Sequence, residues 1–369
     1  MLEQVRGSCD GDFEDNQRIC RIMPAQSGRG GRVFVTEAGR LRNRLKAIGL
    51  SDPAIQAAWP EWWSDAADPS PSARLELRFS IARKLGLDPH SLLDEEGAPR
   101  FVWRDEARFK HLSGESDAER AAITSFGRAL GSLLVAATPP STGTIMQASA
   151  SGLRKTVLGS QQYVRLLDLL SLSWSIGLPV VYLRVFPAVR KRMAAMAVSV
   201  ADRNVILLAK DSMYPPHIAF YLAHELAHIA LGHITKDTAI VDLESELPAS
   251  ASSDPEEIAA DRFALELLTG RSDPQVLPKS GIYNAPGLAN AALNSGPALG
   301  IEPGTLALCF GYSTQNWAVA NSAMKFIYSA PKPVWEEVNR LAARELALDH
   351  IPTDARSYVT AVLGAPATA

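Results

Sequence analysis

Apolar residues along this chain recur mostly at helical spacing, with one stretch of strand character near the middle. Leu41, Leu45 and Ile48 share a face of a helix that Thr36 can cap and that runs to Leu50. Further helices are predicted from Ala73 to Leu85, stopped by Gly86, from Glu115 to Ala137, and from Gln161 to Ile176. The period then changes. Leu178 to Phe186 is rich in β-branched residues and reads as a strand. Met196–Val200 and Val205–Ala209 flank Ala201–Asn204, which reads as a hairpin with a four-residue loop. Pro215-Pro216 can start a helix, and His217 to Gly232 continues it without an internal breaker. Helical spacing returns at Pro286–Leu293, Gly304–Phe310, Thr314–Ile327 and Pro333–Leu348. The pattern predicts an α+β fold, predominantly α, with a small sheet packed on the helix that begins at Pro215.

Between these elements the chain divides into five expected parts. Residues 1–35, rich in Gly, Asp, Arg and Ser without periodicity, read as a disordered tail. Residues 36–112 form a helical domain in which Ser80 to Leu93 weakly resembles the closing helices of a helix-turn-helix. A Trp- and Pro-rich stretch, Trp59 to Trp63, stands where the usual compact helices of that motif would lie. Residues 113–160 are a helix and a polar linker, 161–272 the domain holding the sheet, and 273–369 a C-terminal helical region.

Composition narrows the function. The net charge of −3 gives no global pull toward nucleic acid or an anionic membrane. Residues 1–110 carry 17 basic and 17 acidic side chains, so any DNA contact depends on a local patch such as Arg29–Lys46. Cys9, Cys20 and Cys309 make neither a disulfide framework nor a paired zinc motif, which fits a reducing cytoplasm. No secretory signal or membrane span is read in the chain.

The candidate chemistry lies in His224-Glu225-Leu226-Ala227-His228. Two histidines four apart stand one turn apart on one helix face and can hold zinc. Glu225 beside them can act as general base on a water held by the metal. A catalytic zinc takes three protein ligands. His233 is a poor third, because a continuing helix carries it about 140° away from His228. It also misses the metzincin spacing, lying five residues after His228, with Gly232 four after. Glu257 is the second candidate. It follows the expected N-cap Asp254 and first helical residue Pro255, so it suits either a capping box or a metal ligand. As a ligand it would place Asp261 one turn on, where a carboxylate can hydrogen-bond a zinc-bound histidine. Glu256 is the fallback. Asp237, Asp242, Glu244 and Glu246 read as an acidic loop between the two helices. Candidate oxyanion or substrate contacts are His233, Tyr221 and Arg262, with Tyr283 and Tyr312 as further choices.

His224-Glu-Leu-Ala-His-Ile-Ala-Leu-Gly-His233 followed by Glu257-Ile-Ala-Ala-Asp-Arg-Phe-Ala-Leu-Glu-Leu-Leu268 resembles the ImmA/IrrE-type zinc metallopeptidases. The strand Leu178 to Tyr182 and the hairpin extend the resemblance to about residues 160–272. It implies a zincin-like core with His224, His228 and Glu257 on zinc, Glu225 as base and Asp261 behind a histidine. It also implies a protein substrate: a helix-turn-helix repressor, or an antitoxin partner, encoded nearby. The alternative is a non-proteolytic regulator or toxin component that binds protein or DNA through its helical flanks.

Overall fold

The computed structural model describes residues 36–104, 107–110, 116–188, 193–243, 254–278 and 284–364. The expected tail 1–35, Glu244, Glu246 and Tyr283 lie outside them. In chain order the elements are α1 (Glu37–Ala47), α2 (Asp52–Ala58), α3 (Pro71–Leu85), α4 (Pro89–Leu93), β1 (Ala107–Lys110), α5 (Asp117–Ala136), α6 (Ala150–Leu158) and α7 (Leu166–Ser175). Then follow β2 (Val180–Tyr182), β3 (Met193–Val200), β4 (Arg203–Leu208), α8 (Pro215–Ala230), β5 (Ala239–Leu243) and α9 (Pro255–Thr269). The chain closes with α10 (Ala285–Leu299), α11 (Pro303–Thr314), α12 (Trp317–Ile327), α13 (Val334–Glu345) and α14 (Thr353–Leu363). The fold is α+β and mostly helical.

The caps explain where most helices begin. Thr36, Ser51, Ser70, Ser116 and Ser149 each accept an N–H from the first turn of the helix that follows, and Ser116 with Glu119 completes a capping box. Gly86 ends α3 in the left-handed conformation, as its position predicts.

Five strands form one mixed sheet in the order β1-β5-β3-β4-β2. β3 is antiparallel to both neighbours, while β1 and β2 join the rims in parallel. The expected four-residue hairpin loop is tighter. Val200 pairs with Arg203, so only Ala201 and Asp202 turn the chain, both at positive φ (50° and 62°). Two left-handed residues match the twist of the flanking strands, which a longer loop does not require. β1 and β5 were not expected. Asp242 therefore stands on a buried strand and not on the acidic loop proposed for it.

Helices cover both faces. α5 lies on β3, with Gly127 against Met196 and Gly131 against Val198 and Val200. Alternation turns Ala195 and Ala197 to the opposite face, where α8 packs on β3 and β4. The main core runs from Leu41 in α1 to Leu363 in α14, so the helical segments before and after the sheet share it. α13 also closes the β2 rim. Tyr182 N–H donates to Asn339 Oδ1 at 2.8 Å, and Asn339 Nδ2 donates to the Tyr182 and Leu363 carbonyls. α10, α11 and α12 hold a second, smaller core around Ala292, Phe310 and Met324.

Candidate metal centre

α8 is anchored by apolar side chains. Ile218, Leu222, Leu226 and Ile229 are buried, and its histidines sit between the sheet and α9. Its C-terminus settles the position of His233. Gly232 adopts φ 73°, its N–H donates to the Ile229 carbonyl, and the His233 N–H donates to the His228 carbonyl at 2.9 Å. This pair of bonds is a Schellman turn, which reverses the chain. The helix therefore does not continue to His233. The imidazole folds back, and the Nδ1 atoms of His228 and His233 lie 2.9 Å apart.

α9 brings the carboxylates. Asp254 caps it by accepting the Glu256 N–H, which leaves Glu257 free of the capping role. Glu257 Oε2 lies 3.3 Å from His224 Nε2, and its Oε1 lies 3.5 Å from His228 Nε2. Glu256, the fallback ligand, turns away to Arg108 at 2.6 Å and Lys110 at 3.3 Å. One turn beyond Glu257, Asp261 Oδ1 lies 2.9 Å from His224 Nδ1. The two histidines thus present their Nε2 atoms to one point, 3.0 Å apart, with both Nδ1 atoms held from behind.

A fourth donor comes from β5. Asp242 Oδ2 lies 3.2 Å from His224 Nε2. His224, His228, Asp242 and Glu257 are all buried, their donor atoms within 4.8 Å of one another, and they could hold a metal ion. A four-coordinate ion with bonds of about 2.0–2.1 Å separates its donors by about 3.3–3.4 Å. The spacings of 3.0 to 3.3 Å from His224 to His228, Asp242 and Glu257, and of 3.5 Å from His228 to Glu257, come near that separation. Sequence reasoning missed Asp242. Its signal was a single carboxylate inside the apolar run Ala239-Ile-Val-Asp-Leu243.

The electrostatics favour a cation. Glu225, Asp242 and Glu257 put three carboxyl groups in one buried space. Burial pushes the Glu225 carboxyl well above the usual range, and the Asp242 charge adds to the rise. No donor reaches either Glu225 oxygen among the described residues. Burial opposes charge on His224, but Asp242, Asp261 and Glu257 outweigh it and hold its pKa well above the ordinary imidazole value. His228 is pushed down to about 2, by burial and then by the neighbouring His224. Burial also opposes charge on Glu257, yet the two histidines and Lys110 hold it at about 2. A carboxylate left without donors at a cation-sized gap is costly unless an ion fills the gap.

Beside the cluster, α8, α9, α11 and α12 enclose a cavity of about 560 Å³ lined by Phe220, Tyr221, Leu265, Leu268, Tyr312 and Trp317. The Phe220 ring lies 6.2 Å from that of His224, so the cavity adjoins the centre. Tyr221 and Tyr312 are therefore near it. Arg262 is exposed, and His233 is engaged with His228. On α1, all four cations have protein partners: Arg40 pairs with Glu37, Arg42 stacks on Trp59, Arg44 donates to carbonyls near α4, and Lys46 pairs with Asp52. α4, at the place of a recognition helix, has five residues.

No protein-family model, curated protein or solved structure matches this chain. Among the described residues, no helix is long and apolar enough to cross a membrane.

Proposed function

We propose that this chain is a zinc-dependent endopeptidase of the ImmA/IrrE kind, with a zincin-like core, acting on a repressor or antitoxin partner. The observation that carries the reading is Glu225: fully buried, without a donor, beside four convergent metal donors and following a metal-facing histidine. Two imidazoles with carboxylates suit zinc better than the all-oxygen sets of calcium or magnesium.

His224, His228 and Glu257 would hold the ion. When bound, zinc supplies a Lewis acid that lowers the pKa of water toward neutrality and polarises the scissile carbonyl. Glu225 takes the proton of the attacking water and passes it to the leaving nitrogen. Asp261 holds the His224 ring at Nδ1, and His233 does the same for His228, so both rings turn Nε2 toward the ion. The aromatic cavity beside α8 offers room for an apolar substrate side chain.

The four-donor set favours a second reading, a non-proteolytic regulator or toxin component with a structural metal, since structural sites are closed by protein. Glu225 has no task in such a site. Co-expression with the protein encoded by the adjacent gene separates the two. Cleavage by the wild type and none by Glu225→Gln supports the peptidase; equal cleavage in both removes Glu225 as base.

A further inference from the structure

A catalytic zinc keeps one position open, yet Asp242 of β5 adds a fourth donor to this cluster. We propose that Asp242 is a built-in inhibitor, an internal ligand that blocks the reactive position until its carboxylate is displaced. The inference rests on the peptidase reading above.

Three observations carry it. The Asp242 carboxylate lies 3.2 Å from the metal-facing nitrogen of His224, at the spacing of a coordinated donor. β5 holds the carboxylate there from between β1 and β3, with Ile240 and Asp242 on the same face as Ala197 and Ala195, toward α8. The ladder breaks its register between Met193 and Ala195, next to the Asp242 pairing. Such an irregularity re-aims side chains and weakens pairing locally. It falls beside the residue that delivers the carboxylate to the centre.

The block predicts that an outside ligand cannot reach the ion. The test uses the full chain loaded with Co²⁺, whose visible spectrum reports its ligands, and acetohydroxamate as probe. Wild type is compared with Asp242→Ala and with Asp242→Ser, whose side chain is too short to reach. A closed state populated to about 99% weakens apparent affinity about 100-fold. Both variants should therefore keep cobalt and take the probe about 100-fold more tightly than wild type. Probe binding of equal strength in wild type overturns the inference, as does loss of cobalt or of the fold in both variants, which makes Asp242 a structural ligand. The two readings fail differently. Tight probe binding by the variants without peptide cleavage sinks the peptidase and keeps the block. Glu225-dependent cleavage with equal probe binding in all three sinks the block and keeps the peptidase.

Discussion

Lys84 and Glu225 are both buried charged side chains, and their surroundings differ in kind. Lys84 joins α3 to α14. Its ammonium donates to Asp354 and to the Ala58 carbonyl, and Asp354 also accepts from Ser80 at 2.8 Å and from Arg83 at 3.1 Å. Both carboxylate oxygens have donors, and the ammonium has two acceptors. Around Glu225, three carboxyl groups face two imidazoles across a gap of ionic size. The first cluster is complete as protein. The second leaves the Glu225 oxygens without a donor beside four residues that could hold a cation. A buried charge is therefore informative through its unfilled valences more than through its burial.

Substitutions should separate the two clusters by what they move. Glu225→Gln should lower peptide cleavage by about 10³-fold, within the usual range for a general base, with metal content unchanged by mass spectrometry. Lys84→Met should leave metal content alone and cost about 1.5–3 kcal/mol, because it removes a charged hydrogen-bond partner from Asp354, which keeps Ser80 and Arg83. Urea unfolding measures this, and a loss of metal instead would show that the clusters are coupled. Asp261→Asn should weaken metal affinity about 10- to 100-fold by releasing His224, as a chelator competition can read.

The smallest effect is in acid. Burial raises the Asp354 pKa, but Lys84 and Ser80 more than reverse this and hold it below its ordinary value. A carboxyl depressed in the folded state stabilises above its unfolded pKa, about 3.9, and loses that stability as pH falls through the lower folded value. The wild type should therefore shed stability in that window, and the Lys84→Met variant should show a flatter acid limb. Identical limbs would remove the Lys84 contact as the cause.

The parts legible from sequence are those with local signals. α8 follows from Pro215-Pro216 and an unbroken run, α9 from Asp254-Pro255, and α3 from Gly86 at its end. The sequence favours Glu257 as a ligand over a cap, and the structure turns it to the histidines, with Asp254 as the cap. The missed parts depend on distant partners. β1 reads as Ala-Arg-Phe-Lys, half of it charged, and is a strand only because β5 lies beside it with Ala107 opposite Ala239. β5 is a five-residue run, too short to distinguish strand from helix. Asp242 went unrecognised with it. His233 was placed by extending the helix, and the left-handed Gly232 reverses that geometry. α14 carries no strong cap signal and is held by its buried face, Ala355, Tyr358, Val359 and Val362.

Metal stoichiometry tests the central claim most directly. Wild type, Glu225→Gln and Glu257→Ala, each purified without added metal, are assayed by mass spectrometry. Zinc should be retained at equal occupancy in wild type and Glu225→Gln and fall severalfold or more in Glu257→Ala. A wild type without zinc, or a Glu257→Ala variant with unchanged zinc, contradicts the metal centre described above.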